Sequence, residues 1–533
     1  MINRSAAVHG REASLPVLFW VLLVAAALLR LYLVCLDRNI LMDQGLLQDD
    51  AFYYYEIALH LLASGVPSFD GINPTNGFHP LWQAICLPVF YFFDQDSAPR
   101  VMLLMASVLD LASLYLVYQL LRQWLRNEAA VLVAVAILAL HGTLIRTWFN
   151  GLETALQLFT LLLFMRAYFA LSATAHVRQH LLLGAWAALA FLARTDSAVI
   201  MAVMLCWLYL PGMLRLQSSR PSFRPWRGAC ACGASLLLLT APWLLWNYLT
   251  FGNIVQVSGQ HSGNVWLTGG ALPELPFPQN VLFGIQTSID PLRIVLEKMF
   301  QPYPLPKISG FIYLLLLMVL VAGAAWRDSP TRRALWRLAP LVLGALVLFF
   351  YHAGVRHFVR GWYNGPLLLC GALLLALLAD HLLTAWRWRF AGPCLLAALC
   401  LLLLAGYSPL YYSGFGDREA RQQDPRVAAA LWLETHTAAD ERSGAANAGI
   451  VGYYTSRPLI NLDGVVNETA FRARQANELQ RYILETRIHW LADHKGSLDH
   501  LCADNSYYRC EEAGRWNNGT RVMRVVPLGH QGP

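Results

Sequence analysis

Charge is what this sequence has least of. Only 14% of its 533 residues are Asp, Glu, Lys or Arg, against about 25% in an ordinary soluble protein, and that scarcity excludes a water-soluble globular chain. Recognisable soluble-enzyme signatures are missing as well. No Walker, dinucleotide-fingerprint, HExxH or GxSxG motif occurs in a convincing context, so none of those chemistries has a foothold. No Cys pair has the CxxC spacing of a metal site, and there is no internal repeat or low-complexity tract. Of ten Cys, eight (Cys35, Cys86, Cys206, Cys230, Cys232, Cys370, Cys394 and Cys400) lie in or beside apolar stretches, where they behave as small hydrophobes.

Apolar residues take the place of charge: 57% of the chain is hydrophobic and mean hydropathy is +0.43. They come in long blocks, and a bilayer core of ~30 Å needs roughly 20 such residues per helix. The blocks predict eleven spans: Leu15–Leu36, Arg100–Leu121, Ala129–Ile145, Leu152–Leu171, Leu181–Leu192, Ala198–Pro211, Gly228–Leu249, Gly310–Trp326, Leu338–Phe350, Trp362–Leu383 and Ala391–Ala405. The first is too long for a signal h-region and lacks a small-residue cleavage site, so it is expected to be retained. Leu81–Phe93 is apolar but short, and suits an interfacial or re-entrant helix better than a span.

The formal charge of +7 does not point to nucleic acid, because of where it sits. From Tyr407 onward there are 14 Lys+Arg against 15 Asp+Glu; residues 1–406 hold 26 against 18. The excess falls in short loops between spans (Arg122 and Arg126; Arg178; Arg215 to Arg227; Arg327 to Arg337; Arg387 and Arg389). That is the distribution expected of cytoplasmic loops. With the N-terminus in the cytoplasm, an odd number of spans puts the C-terminal region outside. The expected organisation is mainly α: a membrane module over 1–406 with outer loops 37–99 and 251–309, then a small extracytoplasmic α/β domain over 407–533. In that tail Val427–Glu434 reads as helix, and Gly449–Tyr454, Pro458–Leu462 and Arg521–Val526 read as strands. Cys502 and Cys510 share it; outside the cytoplasm they can form a disulfide, and free thiols are the equal alternative.

The first outer loop is chemically unusual. Between Asp37 and His79 it carries Asp37, Asp43, Asp49, Asp50, Glu56 and Asp70 against a single base, Arg38. A helix starting near Ala51 and ended by Gly65 puts Asp49, Tyr53 and Glu56 near one face. One Asp is accounted for as the helix cap; the other, desolvated at the water–lipid boundary, is poised as a general base. The turn-rich run from Phe69 to Trp82 follows, bringing Asn76 and His79 beside an interfacial Trp. Those groups suit sugar or phosphate recognition, and equally a turn with a membrane anchor. Glu153 opens a span, where the helix dipole is explanation enough. Arg194 interrupts an apolar stretch, where a simple pairing with Asp196 is one explanation; ionisable groups at membrane depth are, however, costly and usually functional. Arg356, His357 and Arg360 break the positive-inside trend, as does Lys298 beside Phe300–Tyr303. An anionic ligand on the outer side supplies a reason for them.

With these residues in view, the acidic pair followed by aromatics, Asp49-Asp50-Ala51-Phe52-Tyr53-Tyr54, resembles the signature of the GT-C superfamily of integral membrane glycosyltransferases. Protein O-mannosyltransferases, lipid A aminoarabinose transferases, arabinosyltransferases and the oligosaccharyltransferase catalytic subunit are members. Asn150–Thr154, Arg194–Asp196 and Asn461–Asn467 are similar to bacterial members described only as glycosyltransferase-like. The resemblance implies an inverting enzyme that takes a sugar from a polyprenyl-phosphate donor to an envelope glycan, lipid or protein. It implies that Asp49 is the base, with Asp50 assisting. The donor site is expected among the residues read above, Tyr53, Asn76, His79, Glu153, Arg194, Lys298, Arg356 and Arg360. Some branches use a divalent metal held by an acidic motif in the next outer loop; here that loop offers Glu153 without a second acid, so a metal-independent reaction with no cofactor is expected. The competing reading is a transporter or flippase, which calls for ionisable groups at mid-membrane, such as Asp110, and often a repeated topology.

Overall fold

The structure is a computed structural model. It describes residues 17–172, 174–213, 225–260, 310–356, 360–385, 391–405, 423–503, 506–517 and 519–528. Among these, five helices are long and apolar enough to cross a membrane: Val17–Val34, Ala98–Arg122, Pro225–Phe251, Ser329–Ala353 and Gly361–Ala385. The pair Glu128–Leu140 and Gly142–Trp148, bent by 66°, can form a sixth. The break has a local cause. His141 is extended, and its ring accepts the Thr143 N–H, starting a new helix where the old one stops. The remaining expected spans appear as shorter apolar helices, so the chain is a multi-pass membrane protein whose span number is not fixed by helix length. Pro80–Phe92 is likewise a short apolar helix.

Two expected spans are longer than hydropathy alone indicated. The helix expected from Leu181 begins at Val177, and that expected from Leu338 begins at Ser329. In each case a polar first turn precedes the apolar run. In the second, Asp328 accepts from the Thr331 N–H and starts the helix.

The helix Glu128–Leu140 is buried from Ala130 through Leu140, so it forms the centre of the bundle rather than one face of it. Two sets of ion pairs fasten the helices. Arg30 reaches Asp110 at 2.5 Å, both about fully buried, and its guanidinium also donates to the Ala139 carbonyl. Arg126 bridges Asp328 at 2.7 Å and Asp380 at 2.9 Å. The second set ties the loops at one end of the bundle. The helix carrying Asp380 begins at the other end, where Gly365 lies beside Trp148.

The tail forms a five-stranded mixed sheet of order β2-β1-β3-β5-β4, from β1 (Arg442–Ala445), β2 (Leu459–Asn461), β3 (Ile488–His494), β4 (Tyr508–Arg515) and β5 (Thr520–Pro527). Strands β1, β2 and β3 run parallel; β5 is antiparallel to β3 and β4. Strands β1, β3 and β4 are additions to the sequence reading. One expected strand is corrected: Gly449–Tyr453 is a short helix, because its first N–H groups are taken by a carboxylate of the membrane module instead of a neighbouring strand. Cys502 and Cys510 are disulfide-bonded. The tail has a small core of its own around Ile460, Leu462, Ile488 and Leu491. A larger apolar cluster joins Val427, Ala445, Ile450 and Tyr453 of the tail to Phe52, Tyr55 and Phe90 of the outer loop. The tail is therefore packed into the module rather than hung from it. The expected boundary at 406/407 lies outside the described residues.

Candidate active site

The helix Asp49–Ser64 starts at Asp49 and ends at Gly65, whose φ of 75° is the left-handed cap that glycine adopts freely. Its cap residue is Gln48, which makes no side-chain cap bond. Neither Asp is consumed as the N-cap of this helix. Successive residues point about 100° apart on a helix, and that rotation separates the two acids. Asp49 turns to the tail, where its carboxylate accepts from the Gly449 N–H at 3.2 Å and the Ile450 N–H at 2.9 Å. Asp50 turns into a cavity of about 80 Å³.

That cavity is lined by Asp50, Tyr53, Tyr54, Gly77, His79, Leu152, Glu153, Arg194, Thr195, Asp196, Gln256, Ser258, Gly259, Arg356, Trp362, Tyr363 and Val465. Seven separate stretches of chain meet there. Glu153 sits at the start of the helix Thr154–Ala170 without capping it. Its oxygens accept instead from Tyr54 Oη at 2.9 Å and Arg194 Nη1 at 2.6 Å. Arg194 also donates through Nε to both oxygens of Asp196 at 3.0 Å and lies 4.5 Å over the Tyr363 ring. Asp196 faces His352 Nε2 at 3.0 Å. His79 Nδ1 accepts from the Thr195 N–H at 3.4 Å, which leaves its ring proton on Nε2, 3.5 Å from Glu153. Gln256 Nε2 also lies 3.0 Å from Nδ1. Arg356 is braced by its bond to the Ser258 carbonyl at 2.9 Å.

Electrostatics follow from this packing. Burial pushes the Asp50 carboxyl up to about 7; Arg360 opposes the shift, and Asp49, Asp463 and Glu153 add to it. Burial likewise raises Asp49, against the pull of Arg426, and raises Asp463 to about 6. The His79 imidazole is pushed down by burial, with Glu153 working the other way. Burial works against a charge on Asp196, yet Arg194 and His352 hold its carboxyl well below the usual range. The site thus has one carboxyl titrating near neutrality beside the hydrogen-bonded Glu153–Arg194–Asp196 network.

The expected site residues divide accordingly. Asp50, Tyr53, His79, Glu153, Arg194 and Arg356 come together at the cavity. Asp49 does not line it. Arg360 is exposed at its edge, within electrostatic reach of Asp50 and Asp463. Asn76 is a scaffold: its amide donates to Asn247 at 3.2 Å and accepts from the Val257 N–H at 3.0 Å, fixing the segment that presents Gln256 and Ser258. Lys298 and His357 lie outside the described residues. Sequence reasoning missed Tyr54, Gln256, His352, Trp362 and Tyr363 as site members. Tyr54 stands inside the acidic-aromatic run without a role of its own there; the others are ordinary residues in apolar or turn contexts, and no short motif announces them. Among the described residues no group of three His, Cys, Asp or Glu side chains is arranged to hold a metal ion.

A solved structure shares this architecture. ArnT from Cupriavidus metallidurans, solved bound to undecaprenyl phosphate, is similar over 95% of this chain and 98% of its own, with 12% identity and a TM-score of 0.52. The oligosaccharyltransferase AglB from Archaeoglobus fulgidus, solved with an inhibitory peptide and a dolichol-phosphate, is covered to 75% by 97% of this chain, with 13% identity and a TM-score of 0.49. The arabinofuranosyltransferase AftD from mycobacteria is covered to 42%, with 15% identity and a TM-score of 0.44. The first of these carries the comparison, and it is one of fold: the chain shares the fold of ArnT. Residues 414–525 match a family described as a domain of unknown function (DUF8728). Among curated proteins no sequence matches the chain.

Proposed function

We propose that this protein transfers a glycosyl residue from a polyprenyl-phosphate sugar to an envelope glycan, lipid or protein at the outer face of the cell's inner membrane, with inversion. The observation that carries the proposal is Asp50. It is a carboxyl near neutrality in a cavity that also presents Arg194 and Arg356, at the end of an apolar bundle. An acceptor hydroxyl attacks the anomeric carbon while Asp50 takes its proton. The bond from that carbon to the phosphate oxygen breaks, and the polyprenyl phosphate leaves with the electron pair. Arg356 and Arg360 stabilise the departing charge. Arg194, already bonded to Glu153 and Asp196, orients that wall, and His79 offers neutral-imidazole contacts to sugar hydroxyls. On this reading the transfer proceeds without a metal or cofactor. This assigns the base to Asp50 rather than to Asp49, whose two oxygens are occupied by the tail.

The orientation proposed is eleven spans with the N-terminus cytoplasmic and the tail periplasmic. The Arg126–Asp328–Asp380 end of the bundle then faces the cytoplasm, and the disulfide in the tail fits an oxidising compartment. Transport is the weaker reading, since Asp110 is neutralised by Arg30 rather than exposed along a path. The test is Asp50→Asn in the full chain, expressed in a host deleted for the native protein, with envelope glycans analysed by mass. Loss of one glycan species in the deletion, restored by wild type and not by Asp50→Asn, is expected. Full restoration by Asp50→Asn would refute the assignment.

A further inference from the structure

We propose that Asp49 is a positioning residue: it latches the tail onto the membrane module and thereby sets the tail-built wall of the cavity. For the identity of the cavity's reaction this rests on the reading above; the latch itself does not.

The stretch that follows β1 gives up five consecutive backbone N–H groups to side chains. Ala446 and Asn447 donate to Asp493 Oδ2 at 2.8 and 3.0 Å. Ala448 donates to Tyr53 Oη at 3.1 Å. Gly449 and Ile450 donate to the two oxygens of Asp49. Three of the five therefore end on the first turn and a half of the acidic helix. Tyr53 completes the exchange by donating to the Ala446 carbonyl at 3.2 Å. The contact is close: a Cβ at Gly449 would stand 2.0 Å from the Asp49 carbonyl oxygen. Buried backbone donors need partners, and here the membrane module supplies them.

The latch connects to the cavity through the sheet. Ala445 of β1 pairs with Asn461 of β2, and Asn461 Nδ2 lies 3.3 Å from both Tyr53 Oη and the Ala446 carbonyl. The turn after β2 is rigid: Asn461 accepts from the Gly464 N–H at 2.9 Å and Asp463 from the Val465 N–H at 2.8 Å. That turn delivers Val465 into the cavity wall. It is seated against Gly77, where a Cβ would meet the Val465 carbonyl oxygen at 2.2 Å. Holding residue 449 thus holds residue 465, and a carboxylate with both oxygens engaged in this way is committed to position.

The test uses full-length wild type, Asp49→Asn and Asp49→Ala in lipid nanodiscs. Hydrogen exchange is read at residues 446–450, together with transfer scored by the glycan assay above. In Asp49→Ala the Gly449 and Ile450 amides are expected to exchange about tenfold faster or more. Asp49→Asn falls between, because its amide oxygen still accepts one N–H. In the transfer arm Asp49→Asn retains more activity than Asp49→Ala. A lost base costs about 10²–10⁴-fold in both variants alike, so equal inactivity of the two overturns the proposal, as does unchanged exchange in Asp49→Ala. Where Asp49→Ala yields no folded protein, Tyr53→Phe is read instead; it removes one oxygen, and unchanged exchange at Ala448 overturns the latch. If wild type itself transfers nothing, the sugar-transfer reading fails while the exchange arm still decides the latch.

Discussion

Replacing Asp50 by Asn should stop the chemistry and yet make the protein harder to unfold, increasingly so as pH rises. Burial holds the Asp50 carboxyl at about 7 where an ordinary one sits at 3.8. At about 1.4 kcal/mol per pKa unit, a displacement of roughly three units corresponds to about 4 kcal/mol. Asp50 is partly open to its cavity, and solvent screening reduces that figure to about 1–2 kcal/mol. The sign follows from proton linkage. The folded carboxyl binds its proton more tightly than the unfolded one, so stability is full below pH 3.8 and is lost as pH rises through 7. At pH 8 the wild type carries the whole penalty of a desolvated charge; Asn carries none. At roughly 2–4 °C per kcal/mol, Asp50→Asn should melt about 2–8 °C above wild type at pH 8, with the gap narrowing toward pH 5. Tryptophan-fluorescence melts of nanodisc-embedded protein measure this directly. If Asp50→Asn melts lower than wild type at both pH values, Asp50 is an ordinary structural partner and its role as a poised base is wrong. The same displacement predicts that transfer by wild type rises with pH along an acid limb centred near 7.

The remaining predictions concern the frame around the site. Arg30→Met strands Asp110 in the bundle and should cost about 3–5 kcal/mol, whereas Arg30→Met with Asp110→Leu should recover most of it; melting temperatures of the two decide. Glu153→Gln weakens the charge-assisted bonds to Arg194 and Tyr54, worth about 1.5–3 kcal/mol each, and should reduce transfer roughly tenfold or more without releasing the tail. Gly77→Ala forces a methyl against the Val465 carbonyl and should speed hydrogen exchange across residues 461–467; unchanged exchange there would show that the contact is not tight. Thiol alkylation with and without reductant should find Cys502 and Cys510 linked in protein taken from cells. Free thiols there would count against a periplasmic tail.

The helices were readable because bilayer thickness imposes length and hydropathy on a segment taken alone. Their extension at Val177 and Ser329 was not, since a polar first turn sits at the interface and adds nothing to hydropathy. In the tail, Gly449–Tyr453 has the apolar look of a strand and becomes a helix for lack of a strand partner, its donors being claimed by Asp49. The acidic pair was visible as chemistry, but its division of labour was not. Adjacent residues on a helix face different ways, and the direction of each is set by what packs there.

The sequence by itself determined a polytopic membrane protein with an acidic, aromatic-rich first loop and a separate polar tail, because composition and run length answer to the solvent alone. Tertiary structure decided that Asp50 meets Glu153, Arg194 and Arg356 in one cavity while Asp49 holds the tail. Those meetings join positions from 49 to 450, and only the packing of helices and sheet brings such distant residues together.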